Sequence, residues 1–399
     1  MMENEKIVNN FMKELKKQHA KDDGYRFPDK NKKCELYDDF KDDIDEVLAG
    51  ERPVGISFNI LHALSDWHLD NSVYQTFHIK NSENAKREFT LSSMYAYVAI
   101  KKGDRSWGCF PNDQHKLMDL VCMYMAQALI CSWWSEADEF AKMMIESINY
   151  GQVADKDGNP LERIIGCGES DVYASWFILD LYCKVHKLEY TQENAWYPDN
   201  MKPYDEVIAT WDTTDLSEVD RLTYNLSDIH LAHTKEGTSP NDYYEFDTPL
   251  RWIFPYEIIS WLRLREHQGL ENPSEFSHPL MNTPIAKMFL ELKEPLEKPK
   301  HLPYADVLIA KLKEKCPKID EEIEKQEPIS ILKEKTIPTK ALAPKTGRYR
   351  ATLPNTHPQA NQLEGDPHSY ARFLKGDVFI YEGLEDYELS EITWSYVGN

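Results

Sequence analysis

The chain has 399 residues, of which 41% are hydrophobic and 29% charged, with 10 Trp, 22 Tyr and 15 Phe. That composition supplies one large core or two smaller ones and excludes a disordered chain. Its formal net charge of −22 opposes contact with nucleic-acid phosphates or an anionic membrane surface and favours a basic partner.

The opening stretch, "MMENEKIVNNFMKELKKQ", places Ile7, Phe11 and Leu15 at helical spacing and lacks the basic and apolar regions of a secretory signal. It predicts a surface helix on a cytoplasmic protein. Seven Cys without a CxxC pair fit the same compartment, with thiols packed as small hydrophobes and no disulfides. Amphipathic patterns then predict helices over 36–49, 54–71 and 86–102. His62 and His68, in "LHALSDWHLD", fall on different faces of the second and make no pair.

The most apolar run, "LVCMYMAQALICSWW" from Leu120 to Trp134, falls short of the ~20 residues that a membrane span needs. It predicts a buried core helix that continues through Phe140, Met144 and Ile148, and this pair is the expected centre of the core. "DKDGNP", Asp155 to Pro160, puts Gly158 at the fourth position of a calcium loop rather than the sixth and Gly166 at the twelfth, so it reads as a polar turn. Nucleotide-binding glycine loops, HExxH, GxSxG and cysteine-rich zinc patterns are absent from the sequence.

Helices are also expected over 171–187 and 217–233. The second carries "SDIHLAHT", in which His230 and His233, with Asp228 nearby, have a spacing that lets both imidazoles face one metal. This motif defines the alternative of a metal-dependent enzyme. With no third ligand at a recognised spacing, the plainer reading is two hydrogen-bonded core or rim histidines, with no metal and no cofactor.

From Leu188 to Pro249 the chain has 14 acidic residues against 3 basic ones. Aromatics interleave with the acids, most densely in "SPNDYYEFDTP". Asp242, Tyr243, Tyr244, Glu245 and Asp247 are therefore the candidate protein-binding residues, the aromatics offering contact area and the carboxylates steering and pairing. In the competing reading Tyr244 and Phe246 pack inward.

The next helix, 255–268, is the best specified. Pro255 suits its first turn, Glu257 its positive end, Arg263, Arg265 and His267 its negative end, and Gly269 its cap. Helices at 283–293 and 303–326 follow. From 294 to 345 Lys, Glu and Pro dominate, which predicts a helical and extended tether across the surface. Beyond it, "PKTGRYRATLP", "YARFLKGDVF" and "ITWSYV" read as strands. The expected fold is thus mainly α: a multi-helix body (1–293), the tether (294–345) and a small C-terminal antiparallel β unit (346–399) docked on the body.

These last segments, with "YYEFDTPLRWIFPYEIISWLRLREHQGLENPSEFSHPLM" before them, resemble the bacterial polymorphic-toxin immunity proteins of the immunity protein 71 and 72 families. The likeness covers about the last two fifths of the chain. It rests on Pro344, Gly347 and Tyr349, on Arg372 and Phe373 ahead of Gly376 and Asp377, and on Thr393 and Trp394 in a closing strand. Ala343 and Lys345 depart from the Cys and Arg often found there. The resemblance implies a protein without catalysis or cofactor that binds a cognate toxin domain of a type VI or Rhs-type effector and blocks it by occlusion. The charge adds a basic toxin, such as a nuclease. Among the resembling positions, Pro255, Glu257, Arg263, Arg265, His278, Gly347, Arg372, Phe373, Gly376 and Trp394 are of the kind that packing and turns require.

Overall fold

The structure is a computed structural model. It describes residues 2–21, 24–27, 34–105, 118–150, 152–154, 160–162, 172–190, 197–198, 200–234, 245–246, 248, 251–320, 347–352, 370–373 and 393–398. These residues are mainly helical. The first half holds α1 (Met2–Lys21), α2 (Glu35–Ala49), α3 (Ser57–Tyr74), α4 (Ser82–Arg105), α5 (Met118–Ile130) and α6 (Trp134–Tyr150). The second holds α7 (Tyr173–His186), α8 (Tyr204–Ala209), α9 (Leu216–Ala232), α10 (Tyr256–His267), α11 (Pro284–Leu290) and α12 (Ala305–Lys315).

The centre of the body is α5. Ten consecutive residues, Val121 to Ile130, are buried, as an all-round apolar helix requires. It lies among α4, α6, α7 and α10. Each large side chain enclosed this way contributes roughly 1.5–3 kcal/mol. The expected single run from Leu120 to Trp134 is broken after Ile130 because Ser132 takes a left-handed conformation, φ 61°, and the chain turns there into α6.

Helices α3 and α4 pack against each other. Their connection closes through Lys80 at φ 57°, and Asn81 caps α4 by accepting the Asn84 amide at 3.1 Å. Between the two helices, Ser65 Oγ donates to the Ser92 carbonyl at 3.0 Å.

A second core joins α2, α3, α4 and α12 through Ile44, Val47, Leu61, Leu64, Tyr95, Leu302 and Leu308. The described part of the expected helical and extended tether, residues 294–320, is held to the body. Trp133 Nε1 donates to the Leu296 carbonyl at 2.7 Å, and Asp320 pairs with both Lys102 and Lys313. The Lys, Glu and Pro composition hid a Leu302, Leu308, Leu312 stripe that packs inward. The last helix also stops earlier than its expected end at 326, since Pro317 drives Cys316 out of the helical region, φ −130°, ψ 79°.

Cys34, Cys122, Cys131 and Cys183 are free and buried. Cys316 is disulfide-bonded. The expectation of a chain without disulfides is corrected accordingly, since an odd count with irregular spacing does not exclude one bridge.

Strands β1 (Gln152–Ala154) and β2 (Pro160–Glu162) pair antiparallel, Val153 opposite Leu161, and the expected polar turn between them lies outside the described residues. Near the C-terminus β3 (Gly347–Thr352) lies between β4 (Tyr370–Phe373) and β5 (Thr393–Gly398), antiparallel to both. No helix among the described residues is long and apolar enough to cross a membrane.

Candidate functional site

The proposed interface segment is only partly described. Asp242, Tyr243, Tyr244 and Asp247 lie outside the described residues. Glu245 is described, and the expectation that its carboxylate faces solvent is corrected: it is 4% exposed. Its Oε1 accepts the Ala174 amide at 2.6 Å, which satisfies an otherwise orphaned N–H in the first turn of α7. Burial pushes the Glu245 carboxyl above its ordinary pKa, against the lowering pull of His233 and the Ala174 amide. Phe246 is fully buried, with its ring centroid 3.9 Å from that of His230.

The histidine motif is divided between different partners. His230 is fully buried; its Nδ1 lies 2.8 Å from Glu257 Oε1 and its Nε2 lies 3.0 Å from the Arg251 carbonyl. Neither ring nitrogen is left for a metal. His233 ends α9 and sits 3.8 Å from Glu245 Oε2. Asp228 turns elsewhere, accepting from Asn4 Nδ2 at 2.6 Å and lying 3.4 Å from His278 Nε2. Among the described residues no group of three or more His, Cys, Asp or Glu is arranged to hold a metal ion. His62 and His68 are likewise apart, beside Tyr124 and Glu88 respectively.

The residues singled out around α10 form a buried polar framework. Pro255 precedes the first turn, and its carbonyl accepts the Ile259 amide at 3.0 Å. Arg263 reaches Ser132 Oγ at 2.6 Å and the Leu292 carbonyl at 3.1 Å, which holds the α5–α6 corner. Arg265 is fully buried and donates to the carbonyls of Trp211, Thr213 and Glu271 and to Asn272 Oδ1, at 2.6 to 3.0 Å. Arg265 and His267 do stand in the last turn of α10, and beyond that placement the Arg265 guanidinium satisfies loop carbonyls. Gly269 does cap the helix, at φ 77°, with Leu270 N donating to the Arg265 carbonyl at 2.9 Å. His278 Nδ1 accepts the Leu280 amide at 3.1 Å.

Of the C-terminal positions, Gly347 lies opposite Phe373 in the sheet register, Arg348 opposite Arg372, and Ala351 opposite Trp394. The register thus brings three separate sequence elements side by side. Gly376 lies outside the described residues.

Two further features emerge from the structure. Helix α2 carries seven acidic residues and one lysine. Arg52 binds Asp43 and Glu46 at 2.8 Å each, whereas Glu35, Asp38, Asp39, Asp42 and Asp45 are exposed and have no ion pair among the described residues. The acids of the 205–220 stretch are more engaged: Glu206 and Glu218 share Arg221, Asp215 caps α9, and Asp220 accepts the Ser277 amide.

The second feature is a cavity of about 230 Å³ between α1, α3 and residues 26, 27, 248 and 251, lined by charged residues that include Arg26, Asp66, Asp70 and Arg251. Arg26 pairs with Asp70 at 2.8 Å. Asp66, one turn before Asp70, is exposed and has no hydrogen bond or ion pair among the described residues. Partial enclosure raises its pKa to about 6, and the fields of Arg251 and Arg26 only partly counter this. His19 also lines the cavity; burial pulls its pKa down to about 3 and its Nδ1 has no partner. The legible signal was the Asp66, Asp70 spacing in "LSDWHLDN", which puts two carboxylates on one helix face.

In comparison with known proteins, the chain matches no family model, no curated protein and no solved structure.

Proposed function

We propose that this chain is an immunity protein that binds the toxin domain of a type VI or Rhs-type effector and neutralises it in the cytoplasm by occlusion, without catalysis. The observation that carries the reading is the outer face of α2, with five exposed carboxylates lacking any ion pair among the described residues on a chain of net charge −22. Such a surface attracts and orients a basic partner and repels nucleic acid. The resemblance in the C-terminal segments supports the class. The strand register that aligns Gly347 with Phe373 supports a compact β unit ending the helical body. A basic-faced nuclease domain fits the charge.

Co-expression tests the proposal. Cells producing the toxin domain encoded beside this chain stop growing, cytoplasmic expression of this protein restores growth, and the two proteins co-purify. Rescue only after export to the periplasm would overturn the compartment, and the absence of both rescue and co-purification would overturn the function.

A further inference from the structure

We propose that α1 is an acid-released clasp: the helix is seated on the body through an uncharged buried histidine near each end, and it lets go when those histidines take up protons. The device holds whether or not the partner is a toxin, because both seats of the helix belong to this chain.

Helix α1 is lightly tied between its ends. Its apolar grip consists of Val8 with Leu231 and Leu280, Phe11 against Trp252 with ring centroids 5.2 Å apart, and Leu15 in the main core. Among the described residues its one ion pair, Lys17 with Glu14, lies within the helix itself. The polar contacts with the body therefore concentrate at Asn4 and His19.

Near the C-terminal end, His19 is 5% exposed. Phe27, Tyr74 and His78 surround it, with ring centroids 4.6, 5.6 and 4.9 Å away. It has no ion pair among the described residues, and its Nδ1 has no hydrogen-bond partner. A charge on this ring would lie in an enclosed aromatic seat and face His78 and Arg26, which repel it. Asp66 and Asp70, with Arg251, line the adjoining cavity and do not offset that repulsion. His78 in turn feels Lys16 of α1.

Near the N-terminal end, Asn4 Nδ2 lies 3.1 Å from His278 Nε2 and donates to Asp228 at 2.6 Å. The edge-on Tyr224 ring completes the seat. His278 is fully buried, and its Nδ1 lone pair accepts the Leu280 amide at 3.1 Å. An imidazolium has a hydrogen on both nitrogens, so charging His278 turns this acceptor into a donor and sets it against the Leu280 N–H. That bond shapes the turn Pro279–Asn282, the element α1 contacts most extensively. Asp228, 3.4 Å from Nε2 and 46% exposed, favours the charge, while burial, His230 and the chain's amino terminus oppose it.

The sign follows from linkage. In the docked helix the two pKa values lie at about 3 and about 4, whereas hydrated rings return toward 6.5, so below pH 6.5 the released form binds protons that the docked form refuses. Each histidine then favours release about twentyfold between pH 7 and pH 5. His78, lowered as well, acts in the same sense. Asp66 opposes: its pKa of about 6 beside α1 makes the docked form take up a proton there, which offsets about tenfold. The net effect is about fiftyfold, and release uncovers Leu231, Trp252 and Leu280.

Hydrogen exchange of the full chain at pH 7 and pH 5, corrected for intrinsic exchange rates, tests the clasp. Protection of the α1 amides should fall about fiftyfold while that of the α5 amides holds. In His19→Leu, which keeps an apolar side chain in the seat, the fall should shrink to about two- to threefold, and in Asp66→Asn it should grow about tenfold. The comparison of the unaltered chain at the two pH values decides the matter without any variant. Equal α1 protection at both, an equal loss in α1 and α5, or a full fall in a folded His19→Leu would overturn the proposal.

Discussion

His230 and Glu257 meet inside the core at 2.8 Å with neither side chain exposed. The Arg251 carbonyl can only accept, so His230 Nε2 carries a hydrogen toward it, and one further proton is held between Nδ1 and Glu257 Oε1. Removing one partner of such a buried pair costs about 3–5 kcal/mol. His230→Ala should lose that much in urea denaturation, while Glu257→Gln, whose amide can donate to Nδ1, should lose clearly less. Equal losses would mean that the Gln amide does not stand in for the carboxyl across the pair.

Acid should weaken the fold through two other histidines. Burial lowers the His19 pKa to about 3 and that of His278 to about 4, both below the unfolded 6.5, so between these values the unfolded chain binds protons that the folded chain refuses. Their contribution is complete above pH 6.5 and is lost as pH falls toward 4 and 3. Asp66 acts in the opposite sense: its folded pKa of about 6 exceeds the unfolded 3.8, so it destabilises above pH 6 and ceases to do so toward pH 3.8. His278→Asn should keep the cap on the Leu280 amide, since Asn is a good N-cap, yet flatten the fall in denaturation midpoint between about pH 7 and pH 4.5. An unchanged pH profile in that variant would show that His278 does not titrate this way.

Arg265 is expected to resist conservative replacement. Its planar fork serves three loop carbonyls and Asn272 at once, a set that a lysine ammonium cannot span. Arg265→Lys should cost roughly 3 kcal/mol or more, from acceptors left unpaired in the interior. Hydrogen exchange should rise first around Trp211 and Thr213, where two of those carbonyls lie. Uniform loosening without that local excess would contradict the role.

How much of this was legible varies with the physics involved. Seven expected helices appear with ends within four residues, because apolar periodicity reports burial directly. The break at Ser132 was not legible: a left-handed serine between apolar residues is a tertiary outcome, held by Arg263. Arg263 and Arg265 look like surface charges in sequence, and only long-range packing shows which carbonyls they satisfy. Glu245 reads as part of an acidic surface for the same reason; its amide partner, Ala174, is 71 positions away. Asp66 and Asp70 were visible as a pair, but the cavity required α1 and the Arg26 segment to close around them.

The cysteines give a chemical check. With Cys316 bridged, the unfolded chain should titrate fewer thiols before reduction than after it, when all seven react. In the folded protein Cys183 is buried, with its pKa pushed up to about 12, and should react slowly, since the thiolate is the reactive form. Seven thiols without reductant would remove the bridge.

The α2 surface makes the most direct prediction about partner binding. Asp38, Asp39, Asp42 and Asp45 are not committed to ion pairs among the described residues, and the packing of α2 rests on Ile44 and Val47, so changing all four acids to Asn should leave the melting temperature near the parent's. If the toxin domain approaches this face, association should slow by about tenfold or more at low salt, with a smaller change in dissociation, because rim charges act chiefly on encounter. Raising ionic strength should shrink the difference as the Debye length falls from about 30 Å at 0.01 M to about 8 Å at 0.15 M. Asp205 and Asp212, exposed on the other acidic stretch, provide the control, since their neighbours Glu206 and Glu218 already share Arg221. A stably folded α2 variant with unchanged association rate, beside a slowed Asp205→Asn, Asp212→Asn variant, would move the interface to the start of α9.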